Sequence, residues 1–422
     1  MSQAGGDRSP AGVIVELDSL APGGDAAGRQ LGGGAREDGD QNSNREGRVV
    51  FVPLGAPGER VRVQLVREKE RVAWGELVAI ERPGPDRVEP ACQLFGRCGG
   101  CQWQHVTLEA QRRAKQTIVQ RALGLAAMDA VVGAGPALGY RDRVKLAVGE
   151  GSAPRPVGFR ARRSHEIVDV PSCPLASRAL DAVWPAVRAL AAQLPAGAEI
   201  DLQAGAEGVH VNLGQLDGAG AALARREADR LAAAGVAGVA IGGKLHSGLA
   251  EVDVAERGGQ PLPVPAGGFA QVGRAGNRVL VDCVLQAVGP APGLVLELHA
   301  GSGNFTRELT AAATRVVACE GDPAAVARGR RAAPRAEWSG RLPDIAADVV
   351  VLDPPREGAD GAHLALATRA RRRIVYVSCD PQTLARDARR IAAAGFGLTR
   401  ALAIDLMPQT FHVEVVATFD RL

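Results

Sequence analysis

Long apolar runs are missing from this chain of 422 residues: hydrophobic residues make up 46% of it, yet no stretch of eighteen occurs. That argues against a membrane span. The opening MSQAGGDRSPAG lacks the charged and apolar regions of a signal peptide. Cysteine is scarce, and its seven unevenly spaced copies do not make a disulfide framework. Lysine is scarce too, and a net charge of +3 decides nothing by itself. These absences leave a soluble cytoplasmic protein, long enough for two or three domains.

What charge there is lies unevenly. Residues 1–50 sum to −3, residues 51–180 to +7 and residues 181–422 to −1. The middle block carries Arg112, Arg113, Lys115, Arg141, Arg143, Lys145, Arg155, Arg160, Arg162 and Arg163. Such a set serves as ordinary solvated faces or as a footprint for a nucleic-acid backbone. Three of the seven cysteines crowd into CQLFGRCGGCQWQH, residues 92–105. Thiolates this close repel unless a cation sits between them, so a metal or cluster site is expected.

Along the chain, residues 11–82 read as short alternating strands broken by Gly and Pro, the pattern of a small β-barrel. The polar, Gly-rich stretch DAAGRQLGGGAREDGDQNSNREG reads as a flexible hairpin insertion within it. ERPGPDRVEP (81–90) looks like a linker, and residues 107–125 read as a helix with a basic face. Residues 137–265 are mixed α and β without a clean period. From about 266, apolar strands alternate with helices and the chain ends on two strands in hairpin relation, the signature of a doubly wound parallel sheet with an antiparallel finish.

Within that last part, LVLELHAGSGNF is a strand, a glycine turn and a helix start, where a nucleotide-like ligand can approach backbone. A dinucleotide fingerprint would need a third glycine at 306, which is Thr306. Glu320 ends the next strand, where a carboxylate can accept both ribose hydroxyls, and Asp353 ends a third. This combination suits S-adenosylmethionine. LDPPREG (352–358) sits where amino-group methyltransferases carry an aromatic after Pro-Pro, but Arg356 takes that place, so the chemistry must differ. In YVSCDP, Cys379 ends a strand before a helix, whose dipole is expected to favour the thiolate. Otherwise it is a small core residue. A thiolate beside a methyl donor points to carbon 5 of uracil: addition to carbon 6 makes carbon 5 nucleophilic, and a base must then remove the carbon-5 proton. HVEVVATF offers Glu414 as that base, or as an exposed strand position.

Taken together, these residues resemble the RNA 5-methyluridine methyltransferases, specifically the iron–sulfur 23S rRNA branch. GVIVELDSLAPGG and VVFVPLGAPGERVRVQLV are similar to that family's N-terminal TRAM barrel, an RNA-binding module. CQLFGRCGGCQWQH with Cys173 resembles its [4Fe-4S] motif. FAQVGRAGN, ELHAGSGNF, LDPPREG, VSCDPQTLARD and HVEVVATF follow in the family's order. The resemblance implies a TRAM barrel over 11–82, a central iron–sulfur and RNA-binding α+β domain over 83–265, whose helix 107–125 can pack on the catalytic domain, and a Rossmann-like methyltransferase domain over 266–422. It makes Cys379 the nucleophile and Glu414 the base. Gln271, His299, Gly301, Gly303, Asn304, Glu320 and Asp353 become donor-site residues, and Cys92, Cys98, Cys101 and Cys173 cluster ligands. It implies 23S rRNA as partner, no membrane, and a monomer. Zinc on four cysteines remains the physical alternative to iron. Cys283 and Cys319 are expected in the core.

Three departures stand out. Glu297 replaces the family's Asp, and His299 its aromatic. Only 32 residues separate Glu320 from Asp353, where the family has a longer segment with a further strand and an adenine-side Asn or Asp. Alternatives are the same reaction on transfer RNA or on another rRNA uridine, an RNA-binding homologue without activity, and an amino-group methyltransferase, which would need no thiol.

Overall fold

The computed structural model describes residues 12–31, 47–254 and 261–422. The chain forms two compact units. The first is Met1–Gly96 with Cys101–Ala114 and Gln409–Phe411; the second is Arg97–Gly100 with Lys115–Pro408 and His412–Leu422.

In the first unit, β1 (Val13–Leu20), β2 (Ala26–Gln30), β3 (Val49–Val52), β4 (Arg60–Glu68) and β5 (Val72–Arg82) close a barrel in the order β1-β2-β3-β5-β4. Closure leaves no free sheet edge. Alternate residues point inward, so Val15, Val50, Val52, Val61, Val63 and Ala73 are fully buried. At Gly28 the strands press together: a Cβ there would lie 1.9 Å from the Glu16 carbonyl oxygen. The insertion expected between strands is partly strand itself. Ala26–Gln30 pairs with β1 on one side and β3 on the other, and its small Ala-Ala-Gly run offers no apolar alternation to read. Residues 32–46 of that insertion lie outside the described residues. The linker at 81–90 is also not loose. β5 runs to Arg82, Arg87 grips the buried Glu59 carboxylate and donates to the Leu54 carbonyl at 2.7 Å, and the Val88 N–H bonds the His105 carbonyl at 2.9 Å. Trp103, fully buried, donates its indole N–H to the Gly24 carbonyl at 3.0 Å. The Gln409 carbonyl accepts from the Gln102 and Trp103 N–H groups at 3.0 Å each, and the Gln409 N–H donates to the Gln111 side chain at 2.8 Å.

The second unit holds two main sheets. α1 (Leu108–Leu123) leads to β6 (Val132–Gly133). A seven-stranded sheet follows, built from β7 (Arg143–Val148), β8 (Val157–Arg160), β9 (Ile167–Asp169), β10 (Glu199–Gly205), β11 (Gly208–Gly214), β12 (Val236–Ile241) and β13 (Lys244–Gly248), in the order β13-β12-β11-β10-β7-β8-β9. α2 (Arg178–Ala191) and α3 (Gly218–Ala233) pack on it. Only its β11–β12 pair is parallel, while the other five are antiparallel, so no single period marks the region. A small ribbon, β14 (Glu251–Asp253) with β15 (Pro263–Pro265), precedes α4 (Arg274–Val288).

The rest alternates: β16 (Leu294–Leu298), α5 (Thr306–Ala312), β17 (Arg315–Cys319), α6 (Pro323–Ala332), β18 (Glu337–Ser339), β19 (Val349–Leu352), α7 (Gly361–Ala367), β20 (Arg373–Ser378), α8 (Pro381–Ala393), β21 (Phe396–Asp405) and β22 (Glu414–Arg421). Their sheet runs β18-β17-β16-β19-β20-β22-β21-β6, with β22 antiparallel to both neighbours. The strands are apolar on both faces because helices cover both. Val295, Val349, Val351, Val375 and Val377 meet α4 and α5 on one side. Leu296, Leu298, Val350, Leu352 and Tyr376 meet Val119 of α1, Leu364 of α7 and Leu384 of α8 on the other. β6 pairs with β21 through Val132 and Ile404, so α1 and β6 serve this sheet although they precede the other one. The segment between Glu320 and Asp353 is short but still supplies the further strand, β18. Its three residues are too few to show alternation.

Candidate active site

Strands β16, β17, β19 and β20 are parallel, and their carboxyl ends carry most of the residues singled out from the sequence. β16 ends in His299, held at φ +60, followed by Gly301 at φ +55 and Gly303 at φ +96. The left-handed turn needs glycine at the latter two. Glu320 fastens it: one carboxylate oxygen accepts from the Gly301 N–H at 2.8 Å, the other from the Asp322 N–H at 2.8 Å. Each oxygen thus takes one backbone donor and keeps a further lone pair for a hydroxyl. Asn304 and Asn277 exchange two amide hydrogen bonds of 2.8 Å, tying the turn to α4. Asn277 escaped the sequence reading although it closes the motif FAQVGRAGN. Gln271 sits half-buried two residues before Gly273, the residue that caps α4.

Three further side chains shape this end. Glu297 is buried on β16 and accepts from the Thr306 hydroxyl at 2.6 Å, so the threonine that replaces a third glycine has a partner. Burial lifts the Glu297 carboxyl to about 8, against the pull of Thr306. The His299 ring stacks on His363 with centroids 4.2 Å apart, and His363 Nδ1 lies 2.9 Å from Asp360. Burial and the neighbouring His363 both depress the His299 pKa, and its Nε2 is buried without a hydrogen-bond partner. Trp338 of β18 lies under the turn: a Cβ on Gly303 would meet its indole at 3.4 Å, and one on Gly329 at 2.1 Å. Neither His363 nor Trp338 carried a signal in the sequence.

The second group gathers around Cys379, at the end of β20. The sequence suggested that the helix dipole of α8 would favour its thiolate. The structure corrects this. Asp380 takes the N–H groups of Gln382 and Thr383, at 2.9 and 3.0 Å, so those two donors of the helix start are already occupied. Burial pushes the Cys379 thiol up, the charges of Glu414 and Asp353 add to that, and only the charge and hydrogen bond of Arg356 oppose it. Glu414, 5% exposed at the start of β22, is not an open strand position. Burial and the charge of Asp353 hold its carboxyl well above the usual range, with Arg356 again opposing. Asp353 is lifted to about 7 by loss of solvent. Arg356 donates to His412 Nδ1 at 2.9 Å. The loop bearing Arg356 is fixed from α8: the Ala359 N–H bonds Asp387 at 3.1 Å and Tyr376 at 3.2 Å, and Arg386 donates to the Glu357 carbonyl at 2.7 Å.

All seven cysteines remain thiols. Cys283 and Cys319 are buried, as expected of core residues. Cys92, Cys98, Cys101 and Cys173 are half-buried. The Cys92 N–H bonds Gln104 at 3.0 Å, and the Gly100 N–H points at the Cys98 sulfur at 3.4 Å. Among the described residues no group of three or more Cys, His, Asp or Glu side chains is drawn together as a metal site. No described helix is long and apolar enough to cross a membrane.

Comparison with known proteins places this geometry. Residues 324–421, which carry Asp353, Arg356, Cys379, His412 and Glu414, match the family model described as tRNA (Uracil-5-)-methyltransferase. The 23S rRNA (uracil(1939)-C(5))-methyltransferase of Chromohalobacter salexigens is 36% identical over 89% of this chain and 85% of its own length. Its counterpart in Burkholderia pseudomallei is 33% identical over 100% of this chain and 97% of its own. Among solved structures, the Pyrococcus abyssi tRNA (uracil-54, C5)-methyltransferase in complex with S-adenosyl-L-homocysteine has the same fold, with a TM-score of 0.70 at 22% identity over 96% of this chain and all of that one. The chain belongs to the family of RNA (uracil-5-)-methyltransferases.

Proposed function

We propose that this chain methylates carbon 5 of a uridine in 23S rRNA, with Cys379 as nucleophile and Glu414 as base. The observation that supports it best is the meeting of a thiol, an arginine, the buried Glu414 and the half-buried Asp353 at the ends of β19, β20 and β22. Bound S-adenosylmethionine supplies an electrophilic methyl group, and Gln271, His299, Gly301, Gly303, Asn304, Glu320 and Asp353 would hold it. The Cys379 thiolate uses its pair to bond carbon 6 of the uracil, the carbon 5–carbon 6 π pair shifts onto carbon 5, and carbon 5 would take the methyl as the donor leaves as S-adenosylhomocysteine. Glu414 then accepts the carbon-5 proton, the carbon–sulfur bond breaks, and the thiolate returns. A carboxyl held this high is a strong base once ionised, and Asp353 beside it contends for the same proton. The choice of 23S rRNA rests on the relatives, and the proposal includes a monomer acting in the cytoplasm.

The test is a denaturing gel with radiolabelled methyl donor. Cys379→Ala should form no adduct and turn nothing over. Glu414→Gln should trap methylated RNA on the protein, because addition proceeds while elimination stalls. Full activity in Cys379→Ala would falsify the covalent mechanism, and free turnover in Glu414→Gln would move the base elsewhere. Mass mapping of 5-methyluridine in a deletion strain separates 23S rRNA from transfer RNA.

A [4Fe-4S] cluster on Cys92, Cys98, Cys101 and Cys173 is proposed separately. Four soft thiol donors suit it, and an N–H already directed at the Cys98 sulfur is the kind of contact that supports a cluster ligand. Anaerobically purified protein should carry about four irons and four sulfides, the composition of that cluster type. Zinc without sulfide would replace the assignment.

A further inference from the structure

Arg356 is exposed, and a free arginine side chain has much rotamer freedom to lose. Yet it is the only group among those acting on Cys379 that favours the thiolate: burial, Glu414 and Asp353 all act against it. Where the guanidinium stands therefore matters for addition. Glu414 also feels its charge and competes for it. The hydrogen bond it makes instead is to His412 Nδ1, at 2.9 Å. His412 is half-buried, one residue before the buried Val413 and two before Glu414, so its backbone is set by the start of β22. Burial and the positive charges of Arg356, Lys115 and Arg141 hold the imidazole down at about 4, with Asp380 opposing. A neutral ring at physiological pH keeps Nδ1 as an acceptor, with the proton on Nε2.

We infer that His412 is a positioning residue for the transfer reaction: it holds the Arg356 guanidinium beside the Cys379 sulfur, so that the thiolate can form and add. The inference rests on Cys379 being the nucleophile. It gives His412 no contact with RNA or donor; the ring acts through Arg356 alone. The groups facing the thiol are then Arg356 in favour and Glu414 and Asp353 against, and loss of His412 releases the first while leaving the others.

The experiment follows the rate of covalent adduct formation with a 5-fluorouridine RNA across pH, in the presence of S-adenosylmethionine, for the whole protein. Fluorine does not leave as a proton, so the adduct accumulates and the step after it drops out. An opposite charge at hydrogen-bond distance moves a midpoint by about one to three pH units. His412→Phe, which keeps a ring without an acceptor, should therefore add at least about tenfold more slowly at neutral pH. Its midpoint should rise, and its rate should converge on the wild-type rate in alkaline solution. His412→Asn, whose side-chain oxygen can accept from Arg356, should restore most of the rate. In an Arg356→Gln background, His412→Phe should have no further effect, since the two act in series. Should His412→Phe not fold, His412→Ala gives the same reading with less volume.

A uniform loss of rate in His412→Phe with the midpoint unmoved would make His412 merely structural and overturn the inference. So would an additive effect on top of Arg356→Gln. Absence of any adduct in the wild type is a different result: it removes Cys379 as nucleophile, and the inference with it.

Discussion

Glu297 shows how one extra methylene changes the chemistry of a strand. The carboxyl is buried, meets the Thr306 hydroxyl, and sits at about 8 instead of its ordinary 4.5. Between those values the folded protein holds a proton that the unfolded chain has released. The contribution to stability is therefore complete below about 4.5 and is lost as pH rises towards 8, with a limiting slope of about 1.4 kcal/mol per pH unit. Glu297→Gln keeps an acceptor for Thr306 and removes the titration. Its thermal midpoint should equal the wild type's in acid, and exceed it by a few degrees near pH 8, with the pH dependence flattened across that window. A midpoint that falls with pH as steeply as the wild type's would show that another group carries the effect. His299 is the other residue-scale departure from the family, and its ring stacks on His363.

At the scale of elements, α8 links Cys379, the proposed nucleophile, to its surroundings. Its cap, Asp380, stabilises the helix by about 1 kcal/mol, the usual worth of such a residue. It also silences the N–H groups that would otherwise favour the neighbouring thiolate. Asp380→Ala should thus cost about 1 kcal/mol of stability in a denaturant melt, yet lower the pH at which Cys379 is alkylated, followed by mass spectrometry of its peptide across pH. Unchanged alkylation would mean that burial alone sets the thiol. The sequence made the strand–turn–helix order of this half legible, because β16, β19 and β20 are apolar throughout and glycine marks the turn after β16. It made the carboxylates and Cys379 legible because they end strands. It could not show that Asp380 occupies the first N–H groups of α8, since a cap and a free acid read alike in a string of letters. Nor could it show β2 or β18: the first has no apolar alternation and the second has three residues. His412 stood in a quoted motif but drew no attention, since its use depends on a guanidinium 56 positions earlier in the chain.

For the whole molecule, the proposed RNA partner makes a demand on the barrel. Phe51 and Trp74 stack with centroids 5.9 Å apart, and the Arg67 guanidinium lies 4.9 Å over the Trp74 ring. Rings and cations interleaved in this way suit unpaired bases, each stack being worth about 1–3 kcal/mol. Trp74→Ala should weaken binding of a 23S rRNA fragment by that order, and Arg67→Ala should flatten the salt dependence by about 0.7 for a lost single-strand phosphate contact. Equal affinity and slope in both variants would take the barrel out of RNA recognition. Deleting the barrel is a poorer test, because it uncovers Trp103. The same unit has a consequence for how the chain comes off the ribosome. Gln111 and Gln409 stand 298 positions apart and bond each other inside it. The Gln102 and Trp103 N–H groups wait for the same late residue. The part of the protein that is translated first is thus finished almost last. Nascent chains stalled before residue 409 should leave this unit open to protease, and release of the full chain should close it.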